Sequence, residues 1–125
     1  MSHTIALVDD DRNILTSISM ALENEGFKVQ TYIDAENALV GISRNPPDLA
    51  VIDIKMPGMD GLELIRRVRQ AYPTCAVLVL TLYEEYLTSA INAGAVGYLE
   101  KDLRREELVN AIRAVREGRS PLHMS

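Results

Sequence analysis

Five short apolar runs, separated by segments of helical periodicity, constrain the fold of this chain more than any other feature of its sequence. The runs cover residues 5–8, 29–32, 49–52, 76–80 and 96–99. Runs of this length suit β-strands, whereas the intervening segments repeat apolar residues three and four positions apart, as one face of a helix requires. Five alternations of strand and helix predict parallel strands joined by crossover helices.

The polarity of the runs indicates their order in the sheet. Runs 5–8, 49–52 and 76–80 are apolar throughout, which is typical of parallel strands buried on both faces. The second run alternates polar and apolar residues, which predicts an edge position. With right-handed crossovers, the order 2-1-3-4-5 satisfies both constraints and places helices on both faces. We therefore predict an α/β fold, a flavodoxin-like, doubly wound (βα)5 domain with a five-stranded parallel sheet.

The helical segments carry start and stop signals. Asp34 can cap the second helix, and Gly26, Gly94 and Gly118 can end the first, fourth and fifth. The predicted inward-facing stripes are Ile14, Leu15, Ile18 and Leu22; Ala35, Ala38, Leu39 and Ile42; Leu62, Ile65 and Val68; Leu87, Ala90 and Ile91; and Leu108, Ile112 and Val115.

Length and charge exclude several classes of protein. The 125 residues suit a single domain, with a core at about 4–118, short flexible termini and no output domain. The formal charge is 13 - 18 = -5, and residues 1–60 alone hold 10 acids and 4 bases. Such a domain is not expected to bind nucleic acid directly, whereas its carboxylates favour a metal ion.

A lone cysteine, Cys75, excludes an internal disulfide. Because the chain has no signal segment and no membrane-length apolar run, we expect a cytoplasmic protein without a membrane partner.

Polar residues follow the strands at the carboxyl edge of the predicted sheet, where ligands bind in such folds. The first strand ends in Asp9, Asp10 and Asp11, and the third ends in Asp53. Asp11 suits the N-terminus of the first helix, where an acid stabilises by roughly 0.3 to 1 kcal/mol. The other three carboxylates would repel one another unless a cation intervened, and Mg²⁺ fits because it takes one or two carboxylates plus water and phosphate oxygens. The fourth and fifth strands add Thr81 and then Glu100, Lys101 and Asp102.

These residues form an ordered pattern. It consists of Asp9-Asp10, then residues 53–61 (Asp-Ile-Lys-Met-Pro-Gly-Met-Asp-Gly), then Thr81, then Tyr98-Leu99-Glu100-Lys101. The pattern resembles the response-regulator receiver domains of bacterial two-component signalling, over residues 4–118. An acid pair alone is a weak signal, but four elements in this order, each at the end of its own strand, are specific.

The resemblance implies how the acids act. Asp53 would be the phosphoryl acceptor. Asp10, Asp53 and the backbone carbonyl of Lys55 would bind Mg²⁺ directly, with Mn²⁺ as a substitute, and Asp9 would help through water. A carboxylate can attack phosphorus to give an acyl phosphate when a metal neutralises the oxygens that carry charge.

The resemblance also implies a switch. Thr81 would be the hydroxyl that bonds the new phosphoryl group, and Lys101 would pair with that group. Tyr98 would be the switch aromatic, whose ring fills the space that Thr81 vacates. Two populated arrangements of these side chains would make the domain a switch.

The chain departs from the family pattern at three places. Leu82 stands where the family usually has Ala or Gly, which is expected to hinder access to the phosphoryl group. Asp102 follows Lys101 where many members have a cis proline, so the resemblance does not fix the conformation of that bond. Lys55 and Tyr83 occupy positions that tune how fast water removes the phosphoryl group, and we expect both to slow this loss.

The leading hypothesis is a phosphorylation-activated signalling switch, not an enzyme, with self-catalysed phosphoryl transfer and autodephosphorylation. A sensor histidine kinase or phosphotransfer protein would phosphorylate Asp53, and small phosphodonors such as acetyl phosphate could replace it. A Mg²⁺-dependent aspartyl phosphatase is an alternative, but that class places a second acid two residues after its nucleophile, where this chain has Lys55. A binding module that signals without phosphorylation is a third alternative, disfavoured by the complete set of site residues.

The sequence leaves the output open. Residues 94–102 and 114–121 resemble receivers that precede a LuxR-type helix-turn-helix domain, whereas residues 9–61 resemble receivers coupled to winged-helix domains at least as much. The chain is therefore expected to be the receiver of a DNA-binding transcription regulator, or a stand-alone receiver that acts by protein-protein contact. The final helix is basic, which suits a solvated surface by default and a homodimer contact as a minority hypothesis; its arginines are Arg104, Arg105, Arg113, Arg116 and Arg119.

Overall fold

The computed structural model describes residues 3–54, 61–81, 84–100 and 105–116, and within these ranges strands and helices alternate five times. The strands are β1 (Thr4–Val8), β2 (Lys28–Tyr32), β3 (Leu49–Asp53), β4 (Ala76–Thr81) and β5 (Gly97–Glu100). The helices are α1 (Arg12–Asn24), α2 (Ala35–Arg44), α3 (Gly61–Ala71), α4 (Leu87–Ala93) and α5 (Arg105–Arg116), with a 3-10 turn at Glu84–Tyr86 before α4. The predicted α/β class is confirmed.

The sheet is parallel throughout its described pairs and has the predicted order, β2-β1-β3-β4-β5. Nearly every residue of β1, β3 and β4 is buried, whereas β2 mixes exposed and half-buried positions. The burial pattern therefore follows the predicted division into central strands and an edge strand. The switch point of the doubly wound sheet lies between β1 and β3 at their carboxyl ends.

Two apolar clusters pack on opposite faces of the sheet, because successive side chains of a strand point to opposite sides. Val8, Ile52 and Val79 belong to the cluster shared with α2, α3 and α4. The alternate strand positions, such as Leu7 and Val51, belong to the cluster shared with α1 and α5. Full burial of each such side chain contributes about 1.5 to 3 kcal/mol, so the strands that carry the polar ends are anchored on both sides.

The predicted helix boundaries agree with the capping contacts. The carboxylate of Asp11 accepts from the backbone N–H of Asn13 at 2.9 Å and caps α1. The carboxylate of Asp34 accepts from the N–H of Asn37 at 2.7 Å and caps α2. Gly26 and Gly94 follow α1 and α4 with φ of 93° and 117°, the left-handed conformation that glycine adopts without strain. The predicted end at Gly118 lies outside the described residues.

Two apolar side chains differ from the prediction. Ile91, expected to face the core with Ala90, is 37% exposed, whereas Ala90 is fully buried. Neighbouring residues of an α-helix point about 100° apart, so α4 can bury only one of the two against the sheet. Val96 precedes β5 rather than beginning it: its N–H donates to the carbonyl of Val77 at 2.8 Å, but its side chain is 36% exposed.

Cys75 is buried in the apolar cluster next to α3, as its role of small hydrophobe predicts. Burial raises the pKa of its thiol to about 11, although the charge of Arg69 lowers it in part. No helix in the described ranges has both the length and the apolar character needed to cross a membrane.

Candidate functional site

Three acidic side chains converge at the carboxyl edge of the sheet. β1 and β3 are neighbours in which Val8 pairs with Ile52, so the residues that follow, Asp9 and Asp53, lie side by side. Asp10 completes the group, and one carboxylate oxygen from each acid lies within 4.8 Å of the other two. Asp9 and Asp53 are only 2% and 4% exposed, whereas Asp10 faces solvent. The predicted convergence of these acids is therefore observed.

Main-chain hydrogen bonds orient the first of these acids. The N–H of Asp9 donates to the carbonyl oxygen of Tyr32 on β2 at 3.1 Å. One carboxylate oxygen of Asp9 accepts from the N–H of Asp11 at 2.9 Å, and the carboxylate of Asp11 turns to the start of α1. The three consecutive acids thus have different surroundings: Asp9 is buried in the cluster, Asp10 is at its exposed side, and Asp11 is a helix cap.

The cluster has the chemistry of a site for a hard cation. Its donors are carboxylate oxygens, which Mg²⁺ prefers, and their number and partial exposure leave room for water or phosphate oxygens in the remaining positions. Three carboxylates at this separation also repel one another, so a divalent cation between them would relieve the repulsion. Asp9, Asp10 and Asp53 could therefore hold a metal ion.

Thr81 lies at the same edge of the sheet. It is the last residue of β4, one position beyond Leu80, which pairs with Asp53 across β3 and β4. Its side chain is buried, at 3% exposure. Because strand positions alternate, Thr81 points to the same face as Val79, in the direction of α2, α3 and α4.

Tyr98 is on that face too. It pairs with Val79 across β4 and β5, and its half-buried ring packs against the apolar cluster of that side. The candidate hydroxyl and the candidate aromatic are thus on one side of two adjacent strands. Four other predicted site residues, Lys55, Leu82, Tyr83 and Lys101, lie outside the described residues.

Gly61 contributes to the site through close packing rather than through a turn. Its φ is not positive; instead its backbone packs against the segment that leaves β3, and its N–H donates to the carbonyl of Ile54 at 2.9 Å. A Cβ at this position would lie 2.6 Å from the Cα of Ile54 and would overlap the carbonyl oxygen of Asp53. Gly61 therefore lets α3 approach the backbone of Asp53.

Sequence reasoning did not single out Tyr32, whose carbonyl holds the backbone of Asp9. Any residue can supply a main-chain acceptor, so no side-chain pattern marks it. The only signal was topological: β2 was predicted beside β1, and its last residue must then lie next to the acids that follow β1.

Comparison with known proteins decides the family. The model of the response regulator receiver domain family matches residues 5–113. The chain belongs to this family. It is accordingly a receiver domain of a response regulator in two-component signalling.

Relatives of known sequence support this assignment. The receiver is 37% identical over 119 residues to the response regulator MprA of Mycobacterium sp. (strain KMS), covering 94% of this chain and 52% of the relative. It is 33% identical over 123 residues to the transcriptional regulatory protein DegU of Brevibacillus brevis, covering 95% of this chain and 52% of that protein. The chain thus spans about half the length of these relatives.

Solved receiver structures share the fold. A CheY-like receiver domain protein from Methanospirillum hungatei superimposes with a TM-score of 0.90 at 32% identity, covering 94% of this chain and 96% of that one. The receiver domain of the putative response regulator NarL from Mycobacterium tuberculosis gives 0.85 at 30% identity, covering 94% and 98%. The predicted flavodoxin-like arrangement of this receiver is therefore confirmed.

Proposed function

We propose that this receiver accepts a phosphoryl group onto Asp53 from a sensor histidine kinase or a phosphotransfer protein in a Mg²⁺-dependent reaction. The observation that carries the proposal is the acidic cluster, in which a nearly buried Asp53 lies within 4.8 Å of two further carboxylates. Asp53 is the member at the end of a central strand, directly between the strands that carry Asp9 and Thr81.

The transfer is a displacement at phosphorus. A carboxylate oxygen of Asp53 forms the new P–O bond, the bond from phosphorus to the donor atom breaks, and the donor leaves with that electron pair. Asp10, Asp53 and the carbonyl of Lys55 would hold Mg²⁺, with Asp9 acting through water; when bound, the ion neutralises charge on the carboxylates and the phosphoryl oxygens. Mn²⁺ would serve as a substitute.

The switch uses the remaining residues. The hydroxyl of Thr81 donates a hydrogen bond to the phosphoryl group, and the ammonium of Lys101 pairs with it. Thr81 and Tyr98 share one face of β4 and β5, which supports a role for the Tyr98 ring in filling space when Thr81 moves. Lys55, Leu82 and Tyr83 set the lifetime of the phosphorylated state. The domain then catalyses its own phosphorylation and dephosphorylation rather than turnover of a free substrate.

The proposed signal passes to a DNA-binding output of LuxR or winged-helix type. The relative DegU, which is named a transcriptional regulatory protein, supports this part of the proposal. The alternative is a stand-alone receiver that acts by protein-protein contact, including homodimerisation. In either case residues 1–125 form one receiver domain that acts in the cytoplasm, and its formal charge of -5 disfavours direct contact with nucleic acid.

Intact-mass analysis tests the acceptor. Wild type, Asp53→Asn and Asp34→Asn are incubated with acetyl phosphate and Mg²⁺, and a parallel sample contains EDTA. Wild type and Asp34→Asn should gain one phosphoryl group only with Mg²⁺, because Asp34 caps α2 and is no member of the cluster. Asp53→Asn should gain none. An unmodified wild type contradicts the proposal, and an equally modified Asp53→Asn places the acceptor elsewhere.

A further inference from the structure

The edge strand β2 fixes the backbone of Asp9 through a main-chain hydrogen bond. The N–H of Asp9 donates to the carbonyl of Tyr32 at 3.1 Å, one step beyond the last register pair of β1 and β2, Val8 with Tyr32. The direction in which Asp9 and Asp10 leave β1 therefore depends on where the end of β2 lies.

In the described sheet β2 pairs with β1 on one side only, so strand pairing alone does not fix its end. Packing against α2 fixes that end instead. The ring of Tyr32 lies directly against Gly41 in the middle of α2, where a Cβ would overlap the ring atoms Cε1 and Cζ and the hydroxyl oxygen. Glycine is a poorer helix former than alanine, and Gly41 has no positive φ that would require it. Because Gly41 has no Cβ, the ring of Tyr32 can approach α2 closely. The ring hydroxyl donates to the side-chain oxygen of Gln30 at 3.3 Å, which further fixes its place.

We propose that Tyr32 and Gly41 form a positioning contact for the acidic cluster: the ring seated on Gly41 fixes the Tyr32 carbonyl, which fixes the backbone of Asp9. The inference rests on the proposed binding of Mg²⁺ by that cluster. Neither residue touches the cation or the phosphoryl group, and both act through the main chain of Asp9.

Four variants test the contact: Gly41→Ala, Tyr32→Val, the double variant, and Gly26→Ala as the matched control. Gly26 lies on the other side of β2 in the chain, before the strand begins, and a Cβ there meets nothing within 4 Å, so its alanine strains only a φ of +93°. Two properties are measured on the folded proteins: Mg²⁺ affinity by calorimetry, and hydrogen exchange of the Asp9 amide by NMR. The second readout does not require a metal.

Gly41→Ala should weaken Mg²⁺ binding about tenfold, the lower end of the loss seen when a residue that orients a metal ligand is changed, and should speed exchange at Asp9. In the Tyr32→Val background the same alanine should have no further effect, because the ring it would meet is gone. Gly26→Ala should leave the Mg²⁺ affinity and the Asp9 exchange at their wild-type values.

Wild-type affinity and exchange in folded Gly41→Ala would overturn the proposal, as would an equal loss in Gly26→Ala or an undiminished loss in the Tyr32→Val background. If Gly41→Ala does not fold, Tyr32→Val decides: faster Asp9 exchange and weaker Mg²⁺ binding support the contact, and unchanged values refute it. A wild type that binds no Mg²⁺ refutes the proposed function, whereas the exchange data still report whether the contact holds Asp9.

Discussion

Removing the charge of Asp53 should stabilise the receiver in the absence of Mg²⁺. Asp9 and Asp53 are 2% and 4% exposed, with carboxylate oxygens within 4.8 Å of each other. At that distance two unit charges repel by about 3.5 kcal/mol at an effective dielectric constant of about 20. Asparagine keeps the shape of the side chain but makes weaker hydrogen bonds than a carboxylate, which offsets about 1 to 2 kcal/mol of the gain. We therefore expect Asp53→Asn to raise the free energy of unfolding by about 1.5 to 2.5 kcal/mol, or the Tm by about 5 to 10 °C.

Urea unfolding at low ionic strength measures this effect. Circular dichroism is the suitable probe, because the chain has no tryptophan. In EDTA, Asp53→Asn should unfold at higher urea than wild type. At ten times its dissociation constant, Mg²⁺ should stabilise wild type by about 1.4 kcal/mol, and it should stabilise the variant by much less. The difference in stability between the two proteins should then shrink.

Asp34→Asn is the matched control, since it removes one charge by the same chemical change outside the cluster. Asparagine caps helices as well as aspartate does, so this variant should stay within about 0.5 kcal/mol of wild type in both buffers. Equal stabilisation of both variants would assign the effect to the net charge of -5 rather than to the cluster. An Asp53→Asn protein no more stable than wild type in EDTA would refute the argument that these carboxylates repel.

The remaining predictions concern three single residues. Gly61→Ala should destabilise by about 1 to 3 kcal/mol in urea unfolding, because its Cβ would lie 2.6 Å from the Cα of Ile54; a wild-type midpoint would contradict this close packing. Asp11→Ala should lower stability by about 1 kcal/mol through loss of the α1 cap, whereas Asp11→Asn should not, as thermal unfolding of the pair will reveal. The thiol of Cys75, with its pKa raised from 9.0 to about 11, should react with iodoacetamide at pH 8 only after unfolding. Because the folded thiol keeps its proton while the unfolded thiol ionises, stability should also fall as the pH rises above 9.0, and less so in Cys75→Ala.

The order of the strands could be predicted because the burial of a strand determines how apolar its residues must be. A parallel strand covered on both faces must be apolar along its length, as residues 49–52 of β3 are, whereas an edge strand tolerates residues such as Lys28 and Gln30. Once the order is known, the positions of Asp9, Asp53 and Thr81 follow, because parallel strands end at one edge. The helix caps could be predicted for a similar reason: Asp34 and Gly94 satisfy local requirements that depend on their own chemistry.

Contacts that depend on the exact path of the backbone could not be predicted in this way. The stripe that includes Ala90 and Ile91 is compatible with either side chain facing the sheet. Only the way in which α4 packs against the sheet decides which of the two is buried. Likewise, no local pattern in the sequence indicates that the role of Gly61 is to let α3 approach the chain that leaves β3. Both features depend on distances between elements that the local sequence does not encode.

The receiver thus combines a firmly anchored Asp53 with a lightly anchored helix α4. Asp53 ends a strand in which every residue is buried, so its backbone is supported by both apolar clusters. α4, in contrast, spans only Leu87–Ala93 and buries Ala90 alone among its seven residues. A helix this short has little stability of its own and depends on packing to persist. A change in the packing of Thr81 and Tyr98, on the face that α4 covers, would therefore move α4 at a smaller free-energy cost than it would move β3. Under the proposed function, this asymmetry would let a phosphoryl group on Asp53 leave that residue in position while the surface formed by α4 changes.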